Sequence, residues 1–148
     1  MVLVLSLVLL VLGLAFLGSR ARQYQSVLQA YLGGQAEEMA RSGIEDARVK
    51  LDQDIGFPPP LAVEQNTFSY AESIYDPSGA YLGSYQVVID TSYKNAPFYL
   101  MCINSTGTVG APGAPPTASH TYLAYLDINP AHTATYYSFV RWDDLGCP

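Results

Sequence analysis

The sequence predicts an α+β fold: one long N-terminal α-helix, apolar in its first half and amphipathic in its second, packed on a head built from a four- or five-stranded antiparallel β-sheet. Three observations predict it. Residues 1–17 are almost wholly Val, Leu, Ala and Phe. Between Tyr24 and Leu51 apolar residues recur every three or four positions, the period of one helix face. Beyond Pro60 the period becomes two, in runs rich in Tyr, Val, Ile, Phe and Thr that are bounded by turn residues.

The helix is read over residues 1–53. At 1.5 Å per residue its first 18 residues reach about 27 Å, just enough for a bilayer core, and Arg20 and Arg22 then mark a charged boundary. A cleavable signal would carry a basic stretch before the apolar run and a small-residue cleavage site after it, and Gly18-Ser19-Arg20 is a poor match. A plain membrane anchor fits the length but has no flanking charge at its start. A chain whose Met1 follows a removed basic leader accounts for the abrupt apolar beginning.

From residue 19 to 53 the helix is amphipathic. Tyr24, Leu28, Tyr31, Leu32, Met39, Ile44, Ala47 and Leu51 are expected to pack on the head, with Gln25, Gln29, Glu38, Glu45 and their neighbours on the other face. Glu37 and Arg41 sit at a helical neighbour spacing that supports the assignment. Gly33, Gly34 and Gly43 each cost about 1 kcal/mol inside a helix; they signal either tolerated flexibility or close approach of another element. Phe16, Tyr24 and Tyr31 recur at helical spacing, which points to packing rather than to an electron-carrying stack. Gly56 and Pro58-Pro59-Pro60 end the helix, because proline lacks the amide donor and blocks the preceding turn.

The head, residues 54–148, is expected to hold strands at 67–75, 81–90, 98–105, 121–128 and 135–142. Asp76-Pro77-Ser78-Gly79, Lys94-Asn95-Ala96-Pro97 and Asn129-Pro130 supply turns. The Gly-, Pro-, Ala- and Thr-rich stretch from Gly107 to Ser119 is expected to be one exposed loop. Asn104-Ser105-Thr106 forms an N-glycosylation sequon on a strand end, and Ser105, Thr106, Thr117 and Ser119 are the candidate glycosylation positions.

Charge and composition exclude several classes. Only 7 Lys and Arg stand against 13 Asp and Glu, so clustered phosphate neutralisation, and with it nucleic-acid binding, is not expected. Beyond residue 50 nine acids face only Lys94 and Arg141, which makes the head acidic. His120 and His132 lack metal-ligand spacing and are read as loop residues; Ser105 lies in no nucleophile-elbow pattern. Asp143-Asp144 and Asp52-x-Asp54 read as solvated edges rather than cation sites. No enzymatic activity, metal or cofactor is expected. Cys102 and Cys147 are the only cysteines, and export favours a disulfide over two buried thiols. A bond between them would stabilise the fold by roughly 4 kcal/mol in the chain-entropy model.

The run "VLVLSLVLLVLGLAFLG", then "QAEEMARSGIEDARVKL", then "GSYQVVID" and "INSTGTVG" in the head, resembles mature type IV pilins and pseudopilins, nearest to the PilX-like minor pilins. The resemblance spans the whole architecture. It implies a structural subunit of an extracellular helical filament on the cell surface. Such a subunit starts as a single-pass protein of the inner membrane, is processed by a prepilin peptidase that leaves a methylated Met1, and is assembled by the pilus machinery. Leu3, Leu5, Ser6, Leu7, Leu9, Leu10, Leu12, Leu14, Phe16 and Leu17 would form the filament core, with the helix loosening at Gly13 and Gly18. Leu5 departs from the pattern, since most members carry a glutamate there that meets a neighbour's amine. A filament tip, an amine satisfied by backbone carbonyls or by Ser6, or an amine left neutral would accommodate that change. The alternatives are a membrane-tethered extracytoplasmic ligand-binding module and a minor or tip pseudopilin of a type II secretion-like system.

Overall fold

A computed structural model describes residues 2–53, 57 and 65–143, excepting the side chains of residues 2, 3, 5, 7, 8, 11, 15, 21 and 143. Helix α1 spans Val2–Gln53. It is followed by β1 (Thr67–Tyr75), β2 (Tyr81–Asp90), β3 (Leu100–Val109), β4 (Ala118–Asp127) and β5 (Phe139–Asp143). All neighbouring pairs are antiparallel and the sheet order is β1-β2-β3-β4-β5, so each strand lies beside its sequence neighbour. The α+β expectation holds, with five strands. Gly56 and Pro58 to Pro60, read as the helix stop, lie outside the described residues, and α1 ends at Gln53. The chain forms two compact units, residues 1–32 and 33–148.

In the second unit the core forms because a narrow helical stripe meets the inward positions of the sheet. Ala36, Ala40, Ile44, Ala47 and Leu51 recur at steps of three and four and are all buried. Opposite them lie Tyr85, Val87 and Ile89 of β2, Ile103 of β3, and Ala124 and Leu126 of β4. Each fully buried Ile, Val or Leu contributes about 1.5–3 kcal/mol of transfer free energy. The helix is held very close. A Cβ built on Gly107 collides with the backbone oxygen of Ala36 and the amide nitrogen of Ala40 and falls 2.8 Å from Met39 Cβ. On the helix side, a Cβ on Gly43 collides with Ser105 Oγ and falls 2.9 Å from the Tyr85 ring. Of the two meanings open for Gly43, close approach is the one realised. Gly33 and Gly34 have nothing within 4 Å of an added Cβ.

The expected helix–head contact set needs correction at its N-terminal end. Ile44, Ala47 and Leu51 are buried and Met39 and Leu32 half-buried, but Tyr24, Leu28 and Tyr31 are 74%, 46% and 67% exposed. Within the second unit, Gly83 faces Met39, and Gly107 faces Ala36, Met39 and Ala40.

Strand boundaries shift where pairing overrides local composition. β1 and β2 match the expected ranges. Their turn is held by Asp76 Oδ1, which accepts bonds from the Ser78 amide (2.8 Å), Ser78 Oγ (2.6 Å) and the Ala80 amide (2.8 Å), with Gly79 at a φ of 85°. The Ser78 hydroxyl first, and then the Ala80 amide, hold the Asp76 carboxyl below its usual range. The Gly107–Ser119 loop, by contrast, is shorter than expected: Gly107 pairs with His120, Thr108 with Ser119 and Val109 with Ala118, leaving residues 110–117 between the strands. Gly107 belongs to the sheet because its missing side chain admits the helix. His120 is accordingly a strand residue and not a loop one. Residues 135–138, expected in β5, form a turn in which Tyr137 has a φ of 60°.

Candidate functional site: an exposed apolar helix and a helix–sheet groove

In the unit of residues 1–32, the described side chains of α1 from Val4 to Leu17 are apolar except Ser6 and Gly13. Leu9, Leu10, Leu12, Leu14, Phe16 and Leu17 span about 200° of the circumference at 100° per residue, with Val4 on the opposite side, and each of the six is 60–65% exposed. Val4 and Val27 are exposed too, as is Ser6. The Arg20 guanidinium lies 5.0 Å over the Phe16 ring and closes this stretch with a charge. Helix α1 is unbroken through Gly13 and Gly18, the positions expected to loosen, and neither has a neighbour within 4 Å of an added Cβ. Met1 and the side chains of Leu3, Leu5 and Leu7, named above as processed terminus and filament core, lie outside the described residues. Among the described residues no helix is long and apolar enough to cross a membrane.

The second unit carries its polar groups along both margins of the helix–sheet seam. On the β1 side, Lys50 Nζ donates to Asp46 Oδ2 at 2.7 Å and to Glu72. Tyr70 donates to the same Asp46 oxygen at 2.8 Å, and Tyr85 donates to Glu72 Oε2 at 3.0 Å. Lys50 also lies 4.2 Å over the Tyr70 ring. Burial works against the Lys50 charge, but the bonds to Asp46 and Glu72 outweigh it and hold the ammonium above its usual pKa. Burial first, then the Asp46 carboxylate, pushes the Tyr70 phenol up; burial and Glu72 do the same to Tyr85. The last helical turn is closed by Tyr137, whose hydroxyl donates to the Leu51 carbonyl at 2.8 Å.

On the β4–β5 side a groove of about 420 Å³ is lined by Arg41, Glu45, Tyr122 and Trp142. Tyr122 and Trp142 stand edge to face, with centroids 6.0 Å apart and planes at 78°. The Tyr122 hydroxyl donates to Glu37 Oε1 at 2.7 Å, and that carboxylate holds the phenol above its usual value. Arg41 pairs with Glu37 at 3.4 Å and lies 5.5 Å over the Tyr122 ring. Glu45 Oε2 pairs with Arg48 at 2.9 Å, and Arg48 lies 5.5 Å over Phe139. The helix margin here alternates Glu37, Arg41, Glu45 and Arg48, two acids and two bases.

No protein-family model, curated protein or solved structure matches this chain.

The remaining candidates sort by burial. Ser105 is fully buried under the helix, which removes it as a glycosylation position. Thr106 shares its hydroxyl with Thr121 at 3.0 Å. Thr117 and Ser119 are exposed. Cys102 is fully buried and disulfide-bonded; Cys147, the chain's other cysteine, lies outside the described residues. In the loop after β4, Asp127 Oδ2 accepts from Thr135 Oγ1 at 2.6 Å and contacts His132 Nδ1 at 3.0 Å, while Oδ1 accepts from the Asn129 amide at 2.9 Å. Thr135 first, then the Asn129 amide, hold this buried carboxyl below its usual range. Asp127 serves the loop. Among the described residues no group of three His, Cys, Asp or Glu is placed to hold a metal.

The groove escaped the sequence reading. Glu37 and Arg41 registered only as an i,i+4 helix pair. Tyr122 and Trp142 alternate correctly for inward strand positions, but nothing local tells which helical turn they face.

Proposed function

We propose that this chain is a structural subunit of an extracellular type IV pilus-like helical filament. The observation that carries the reading is the exposure of Val4, Leu9, Leu10, Leu12, Leu14, Phe16 and Leu17, which together ring one helix. A helix that is apolar all round is stable only when surrounded, by lipid or by other helices. A bundle of such helices from many copies serves as filament core, and the acidic heads form its outer surface. Before assembly the same segment rests in the inner membrane, where the prepilin peptidase and the assembly machinery act on it. No catalytic role and no nucleic-acid partner belongs to this reading. A minor or tip position accommodates Leu5, which brings no charge into the core.

The test is to shear the surface of cells producing the chain, pellet the sheared material, and image and identify it by mass. The expected result is helical filaments containing this chain, and their loss on Leu12→Asp. Monomeric chain that stays with the membrane fraction and never enters sheared filaments would reject the proposal.

A second reading is supported by the division into two units. Residues 33–148 hold a core of their own, as a membrane-tethered ligand-binding module would require. It predicts that Leu12→Asp leaves ligand binding by the head unchanged.

A further inference from the structure

We propose that the groove between α1 and the β4–β5 edge is a glycan subsite that takes a neutral pyranose unit. This inference stands apart from the filament reading and shares no residue with the apolar segment. The groove holds about 420 Å³, within the range of small-ligand sites and large enough for one or two sugar rings. Its wall is aromatic. Trp142 is 42% exposed and stands edge to face with both Tyr122 and, at 5.1 Å, Phe139, so a partly open indole is held between two rings. Sugar rings present apolar C–H faces beside their hydroxyls, and an exposed indole bordered by hydrogen-bonding groups complements both.

The polar rim narrows the class to neutral ligands. Arg41 and Glu45 face the groove, each already paired along the helix with Glu37 and Arg48 respectively. Among the described residues the four charges of the rim balance, so an ionic ligand finds no excess of either sign there, whereas a diol finds a donor fork and an acceptor side by side. Arg41 has five N–H donors and spends few of them on Glu37. No described residue bonds Glu45 Oε1; the Arg48 contact is to Oε2. Adjacent hydroxyls can then bridge Arg41 and Glu45 while the ring stacks on Trp142. A nucleic acid or an anionic lipid would want an excess of base, and a protein partner a broad apolar face; the described lining, Arg41, Glu45, Tyr122 and Trp142, offers neither.

Trp142 is the only tryptophan of the chain, so its fluorescence reports on the groove alone. The experiment titrates the full chain, solubilised in a sugar-free polyoxyethylene detergent, with cellobiose, maltose, lactose and diacetylchitobiose, and with an unsaturated hyaluronan disaccharide as the acidic probe. The expected result is a saturable change in Trp142 emission with at least one neutral disaccharide, weakened about tenfold in Glu45→Gln and again in Arg41→Gln. Both positions are exposed and both variants should keep the wild-type far-UV spectrum. The proposal is overturned if no neutral disaccharide gives a saturable change, if the acidic one binds more tightly than all of them, or if the two variants bind as the wild type does. Emission already typical of a buried indole before any addition would mean a filled groove, and would overturn it as well.

Discussion

Gly107→Ala is the sharpest perturbation this structure offers. The added methyl would sit 2.8 Å from Met39 Cβ, against 3.4 Å or more in ordinary contacts, so that pair alone must separate by about 0.6 Å. Its closer collisions are with the Ala36 oxygen and the Ala40 nitrogen. These are backbone atoms of a helix, which no rotamer change can move aside. The helix must lift as a body, loosening Ile44, Ala47 and Leu51 from the sheet. Overpacking of this kind costs about 3 kcal/mol, the upper part of its usual range. For a unit of this size that is roughly 10–15 °C in Tm. Thermal unfolding of the full chain in detergent, followed at β-sheet wavelengths, measures it. The companion variant is Gly34→Ala, an exposed helical position with open space around the new methyl, which should instead gain up to about 1 kcal/mol. Equal Tm values for Gly107→Ala and wild type would refute the close helix–sheet approach on which the core description rests.

Two further predictions concern pH. Lys50, Tyr70 and Tyr85 all have folded-state pKa values raised above their ordinary ones, so the native state holds these protons more tightly than the unfolded chain. Their stabilisation is complete below about pH 10 and is lost as pH rises beyond it; Tyr70→Phe should flatten this alkaline limb in pH-dependent denaturant titrations. Asp127 behaves in the opposite sense, because its folded pKa is depressed. Its contribution is present above the ordinary carboxyl range and disappears as pH falls below it, and Asp127→Asn should remove that acid limb and cost about 1–3 kcal/mol at neutral pH through the weakened bonds to Thr135 and Asn129.

Much of the architecture could be read from periodicity, since it depends on local rules. The change from period three or four to period two separates helix from sheet whatever the tertiary packing. Asp76, Ser78 and Gly79 specify their turn through short-range bonds, and the ranges of β1 and β2 followed. The misread places are those where a distant element decides. Gly107 looks like loop punctuation until the helix backbone above it is known. Tyr24 and Tyr31 have the spacing of packing residues, yet both are exposed, and spacing alone names no partner. Ser105 looks modifiable until Gly43 brings the helix down on it. The groove needed Arg41 and Trp142 together, residues a hundred positions apart with no shared local signal.

The strand order β1-β2-β3-β4-β5 has a consequence for how the chain becomes functional. Every hairpin can close as soon as its second strand is made, because each closes onto its sequence neighbour. Docking of the helix is different in kind. Glu37 awaits Tyr122 and Leu51 awaits Tyr137, separations of 85 and 86 residues. The helical stripe from Ala36 to Leu51 is thus synthesised first and fully covered only after β4 and the Tyr137 turn are made. Until then it is the stretch most in need of temporary protection, and a chain halted before β4 would leave part of that stripe open to another unfinished copy.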